Sequence, residues 1–206
     1  MNKIRGWYFA EESRKLRYGD DRPIVIGQTH TIEGKPELCE CGLHFSVNIL
    51  DALKHAPGPI LYYVEGSGGM DMGVDKISAK SRAYLAGFDA SEMLREFARK
   101  VALINIEKIK PYTDKYNLIV EYLETGNTDL RSAVESAAWA VRSAAWAAES
   151  AAWAARASES AAWAAKSAAW AARASESAAR SAARSVQSRI LIELVYKYYP
   201  SIEEVI

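Results

Sequence analysis

The chain has 206 residues, with 26 lysines and arginines against 26 aspartates and glutamates, so its formal charge is zero. That length leaves room for one ordinary domain plus an extra element, and the even charge argues against a broad electrostatic grip on nucleic acid or acidic lipid. The only cysteines, Cys39 and Cys41, lie two residues apart, too close for an unstrained disulfide, which argues against a secreted disulfide scaffold.

The first residues contain no apolar core of signal-peptide length, and no stretch of 18 uncharged apolar residues follows, so a protein that stays inside the cell and off the membrane is expected. Residues 1–127 read as an α+β head domain. Trp7 to Ala10, Pro23 to Ile26 and Ile60 to Val64 are short β-rich runs bounded by turn residues. Leu38 to Phe45 and Lys76 to Leu85 are further strand candidates. Ser46 is placed to cap a short helix that must stop at Pro57-Gly58-Pro59. Ser91 is placed to cap a longer one, with Met93, Leu94, Phe97, Val101 and Ile104 on one face and Pro111 at its end. Asn117 to Glu124 forms another, closed by Gly126. Strands come early and helices late, which predicts α+β rather than a doubly wound sheet.

Residues 128–199 read as one long Ala-rich helix, with residues 200–206 as a short tail. Asn127 or Thr128 is placed to cap it, and no helix breaker occurs before Pro200. Trp139, Trp146, Trp153, Trp163 and Trp170 recur at intervals of seven, seven, ten and seven. A seven-residue period is the mark of helices that wind around other helices. On a helical projection the tryptophans form one stripe, flanked by Ser and by charges such as Arg142, Glu149, Arg156, Lys166 and Arg173. The opposite side is a smooth Ala surface. Five tryptophans left in water would far exceed the apolar patch of a few hundred Å² that monomers tolerate. The stripe is therefore expected to meet another helix in a coiled-coil-like self-association.

The first half offers few ligand-type residues. His30, Cys39, Cys41 and His44 form a Cys2His2 set, but Cys-x-Cys is shorter than the usual zinc spacing and no second knuckle follows, so no metal is expected. His44 stands at the end of an apolar strand, where ligand contacts are common, with Tyr62, Lys76 and Arg82 as helpers for a nucleotide-like ligand. Gly66-Ser67-Gly68-Gly69 lacks the Lys-Ser/Thr that a phosphate loop needs and reads as a hairpin loop. No Ser/His/Asp elbow or paired-carboxylate motif is visible, so no catalytic residue and no cofactor is assigned.

The stretch Leu38-Cys39-Glu40-Cys41-Gly42-Leu43-His44-Phe45-Ser46 resembles the Leu-Cys-x-x-Gly-Leu-His signature of a tailed-phage and prophage protein family. So do Asp51 to Pro59 and Leu94 to Arg99, and members often end in an Ala-rich tail with Trp and Arg. Cys39 and His44 match the signature, while Cys41 falls at a variable position. The resemblance implies a phage origin, the cytoplasm of an infected or lysogenic host, and an α+β head. It brings no activity with it. The leading expectation is thus an accessory protein that self-assembles through its repeat and displays the head. Its partners are other copies of itself and a host protein. The alternative is an anti-defence protein that binds a nucleotide-like ligand in the head; an enzyme has the weakest support.

Overall fold

The structure is a computed structural model and describes residues 2–104, 106–130, 132–134 and 181–206. They divide into two compact units, Met1–Arg95 with Gln187–Ile206, and Glu96–Val186. Among the described residues no helix is long and apolar enough to cross a membrane.

The first unit is built on an antiparallel sheet, so the expected α+β head is what forms. Its strands are β1 (Ile4–Ala10), β2 (Thr29–Thr31), β3 (Leu43–Phe45), β4 (Ile60–Met72) and β5 (Ile77–Asp89), in the order β1-β4-β5-β2, with β3 also on β5. The long β4–β5 hairpin turns at Gly73, whose N–H meets the Lys76 carbonyl at 2.9 Å. The Gly66–Gly69 run is therefore not the hairpin loop: it lies inside β4, where the register slips between Ser67 and Met70 as an irregularity of the bulge type. The strand expected at Leu38 to Phe45 is shorter, because residues 37–41 close into a turn through the Glu37–Cys41 bridge. Pro23 to Ile26 does not form a strand of the sheet. It forms the return limb of a small hairpin, with Leu16 N–H on the Arg22 carbonyl at 3.0 Å and Ile24 N–H on the Arg14 carbonyl at 2.7 Å.

The sheet nearly closes on itself. Beyond β3, Ser46 exchanges two backbone hydrogen bonds with Trp7 of β1, at 2.7 and 2.9 Å. This contact occupies part of the outer edge of β1, the kind of edge that invites pairing with other chains. Two glycines allow it: a Cβ on Gly6 would overlap the Ser46 carbonyl, and one on Gly66 would overlap the Phe45 ring. Gly66→Ala is expected to cost about 1–3 kcal/mol, the usual range for overpacking. Chemical denaturation checks this: the midpoint should fall with the slope unchanged, and an unshifted midpoint would show that the Phe45 ring is free to move aside.

Inside the curl lies one core, made of Ala10, Leu16, Ile24, Leu43, Phe45, Ile60, Tyr62, Val64, Ile77, Ala79 and Tyr84. The alternation of side chains puts Trp7, Phe9, Leu61, Tyr63, Ala86 and Phe88 on the other face. Helix α1 (Ile49–Lys54) follows β3 and is capped by Asn48, whose Oδ1 accepts from Leu50 N–H at 2.8 Å. Ser46 does not cap it, because its backbone is taken by the sheet.

The end of the chain belongs to this unit. The described helix near the C-terminus covers residues 181–198, here α4, and buries Leu191, Leu194 and Val195 at helical spacing. Ile202 is buried in the 3-10 turn Pro200–Glu204. Phe88 stacks on Tyr199 at 4.8 Å between ring centres, and Arg5 donates to the Val205 carbonyl at 2.9 Å. Residues 187–206 thus complete the head, where the sequence placed the end of a self-association helix and a tail. The physical reason is a change of pattern after Ser185, from Ala and Ser to a stripe of Leu, Ile and Val.

Helix α2 runs Ser91–Ile104, begins in the first unit and continues into the second, and is started by Asp89, whose carboxylate accepts from both the N–H and the hydroxyl of Ser91. It stops before the expected Pro111, which lies inside the 3-10 stretch Ile106–Tyr112. Helix α3 (Tyr116–Thr125) ends on Gly126 in the left-handed conformation, the cap that glycine suits best. Ile119 and Val134 centre a small apolar cluster with Ile106, Ile109, Leu118, Tyr122, Leu123 and Leu130. The long helix from residue 128 and the stripe Trp139, Trp146, Trp153, Trp163 and Trp170 lie outside the described residues, apart from 128–130, 132–134 and 181–198.

Candidate functional site

A cavity of about 670 Å³ opens in the head at the mouth of the curled sheet. Its wall takes Tyr8 from β1, Arg82 from β5, Leu43, His44 and Phe45 from β3, Cys39 to Gly42 from the preceding turn, His55 and Pro57 from beyond α1, Lys76 from the β4–β5 turn, and Leu16, Arg17, Tyr18 and Asp20 from the small hairpin. That volume suits a ligand of nucleotide size.

Arg82 is the centre of the site. It is only 2% exposed. It points inward because it shares a strand face with Tyr84, two residues on. Its Cζ lies 3.7 Å from the centre of the Tyr8 ring, a cation–π arrangement. Its Nε and Nη2 donate to the Tyr84 hydroxyl at 3.2 and 2.7 Å, and its Nη1 donates to the His44 carbonyl. No carboxylate among the described residues pairs with it. Because the Tyr84 oxygen accepts twice from Arg82, its own proton goes to His30 Nδ1, 3.2 Å away. His30 then carries its proton on Nε2, a buried donor without a hydrogen-bond partner. Burial, then the charges of Arg22 and Arg82, hold the His30 imidazole below its usual pKa and favour the neutral ring this chain of bonds requires.

His44 plays a different part from the one its position suggests. Its Nε2 accepts from the Cys39 backbone N–H at 3.3 Å, and so braces the turn before β3. Burial lowers its pKa, and Lys76 and Arg82 lower it further. A neutral ring already engaged at Nε2 fixes the loop while its carbonyl orients Arg82. Lys76 pairs with no carboxylate among the described residues, because nearby Asp75 is occupied. The Asp75 carboxylate binds Lys54 Nζ at 2.5 Å and His55 Nε2 at 3.1 Å, and these partners, Lys54 first, draw its pKa down to about 2.

Of the residues assigned to a ligand from sequence, His44, Lys76 and Arg82 meet at one cavity. Tyr62 does not. It is buried in the core, edge-on to Tyr84 at 5.4 Å. Nor does the structure assemble the alternative metal set. His30 is buried behind Tyr84, while Cys39 and Cys41 stand exposed on the turn, and no group of three or more metal-type ligands forms among the described residues. Sequence reasoning missed Tyr8, Tyr84, His55 and Tyr18. The first two had a signal, since Tyr8 alternates with Trp7 and Phe9, and Tyr84 lies at i+2 from Arg82. Comparison of the chain with protein families, with curated proteins and with solved structures finds no match.

Proposed function

We propose that the head binds a small, nucleotide-like anion in this cavity. The observation that supports the reading is Arg82, a buried cation with no carboxylate partner among the described residues. Removing such a charge from water costs several kcal/mol, and a ring face returns only about 2. Three of its five N–H donors are engaged, which leaves two for a ligand oxygen. Lys76 adds a second cation to the wall of the same cavity. Two acidic groups nearby are already occupied, Asp20 by Arg22 at 2.6 Å and Asp75 by Lys54, while Glu40 stands on the turn at the cavity wall. An anion in the cavity supplies the missing counter-charge.

The test is a thermal-shift and calorimetric screen of the whole protein against pyrophosphate, nucleotides and cyclic nucleotides. The parent is expected to be stabilised by at least one of them. Arg82→Met is expected to weaken that binding about 30- to 100-fold, as loss of a charge-assisted pair does. Arg82→Lys should recover little, because a point charge cannot replace the fork. An absence of any shift in the parent sinks the reading.

The heptad spacing of the tryptophans supports a second element of the proposal. The repeat joins several copies of the chain, so that the assembly presents several heads. On the resemblance of residues 38–46, 51–59 and 94–99, the protein is a phage-encoded accessory factor acting in the host cytoplasm. The anion site then fits a counter-defence role, and light scattering coupled to chromatography checks the assembly.

A further inference from the structure

Tyr18 is 93% exposed, more than any other aromatic side chain among the described residues of the head, yet it lines the cavity. It occupies the tip of the small hairpin, in the turn closed by Asp20 N–H on the Arg17 carbonyl at 3.3 Å. Both central residues of that turn have positive φ, 62° at Tyr18 and 80° at Gly19. Turns of this kind favour Gly, Asn or Asp at both places. A bulky aromatic there adopts a left-handed backbone that L-residues resist. Core packing does not explain the choice, because the ring touches no core. The hairpin around it is firmly held. Arg22 grips Asp20 through two hydrogen bonds, at 2.8 and 2.6 Å, and also donates to the Thr31 carbonyl of β2 at 3.1 Å. Arg17, paired with Glu11 at 3.1 Å, places its Cζ 4.9 Å from the centre of the Tyr18 ring. An aromatic ring is thus held out in water, at a conformational cost, on the rim of a cavity whose inner wall carries Arg82 and Lys76.

We propose that Tyr18 is the stacking platform for a planar base, so that the site selects nucleoside phosphates over phosphates that lack a ring. The inference rests on the anion reading of Arg82 and adds the other end of the ligand. The phosphate lies against Arg82 and Lys76, and the base lies on the face of Tyr18, with Arg17 available to the same ring system. Sequence-tolerant stacking on one aromatic is worth about ten- to a hundredfold in affinity.

The experiment compares the four nucleoside 5′-monophosphates with ribose 5-phosphate, titrated calorimetrically into the parent, Tyr18→Gly, Tyr18→Trp and Arg82→Met. The parent should bind its best nucleotide at least tenfold more tightly than ribose 5-phosphate. Tyr18→Gly should lose that preference while binding ribose 5-phosphate as before, and it should melt no lower than the parent, because glycine accepts the positive φ. Tyr18→Trp should keep the preference. A preference that survives in Tyr18→Gly, or a parent that binds both compounds equally, overturns the role of Tyr18 and leaves the anion site standing if Arg82→Met still loses affinity. A parent that binds neither compound overturns both.

Discussion

Removing residues 187–206 is expected to leave the head unable to fold. The outer face of the sheet carries Trp7, Phe9, Leu61, Tyr63, Ala86 and Phe88, and the first four are under 8% exposed in the intact chain. Leu191, Leu194, Val195 and Ile202 are each at most 1% exposed. Burial of one such side chain contributes about 1.5–3 kcal/mol, so the four together contribute roughly 6–12. A whole domain is stable by about 5–15 kcal/mol. Losing the segment also strips cover from the aromatic face, so aggregation should accompany the loss of structure. Near-ultraviolet circular dichroism and limited proteolysis measure it. A shortened chain that still melts cooperatively within a few degrees of the parent would show that α4 merely rests on the head. A milder version is Leu194→Ala, expected to cost about 2–5 kcal/mol.

The second large effect concerns the repeat. Replacing Trp146, Trp153 and Trp163 together by Ala should leave helix content nearly intact, since Ala is the better helix former. Under the assembly reading it should nevertheless dissociate or loosen the oligomer. Each Trp lost from a packed interface costs about 3–5 kcal/mol. The head should keep its fold, because its core residues lie outside positions 146–163. The melting of the head and the mass of the assembly should therefore separate, the first unchanged and the second reduced. A triple variant that keeps the oligomeric mass and melting temperature of the parent leaves the stripe without a role in assembly.

The candidate site was legible in part. Arg82, Lys76 and His44 were picked out from strand placement and residue type, and they do meet at one cavity. Tyr62 was picked out on the same grounds and lies elsewhere, and the register explains why. Tyr62 stands opposite Gly87, whereas Arg82 stands opposite Gly66, four residues further along β4, so Tyr62 packs against Tyr8 and Tyr84 at 6.5 and 5.4 Å and does not open onto the cavity. Pairing across the sheet decides which side chains share a neighbourhood, and nothing in the local pattern announces it. Tyr8 came to Arg82 from the far strand β1, through β4, by the curl of the sheet. His44 looked like a free imidazole on a strand end, but the turn before it folds back and engages its Nε2.

The sequence by itself determined what depends on neighbours along the chain. β-rich runs marked most of β1 and parts of β4 and β5, apolar spacing marked α2, and Gly126 marked the end of α3, because strand and helix preferences and a left-handed cap are local properties. Tertiary structure decided what depends on residues far apart. It curled the sheet until Ser46 met Trp7, brought residues 187–206 back to cover the outer face, and left Arg82 buried without a carboxylate among the described residues. The physical reason is that burial and charge compensation are set by which distant surfaces fill the same space. A stripe of Leu191, Leu194 and Val195 says that a helix must be covered, and only the fold says by what.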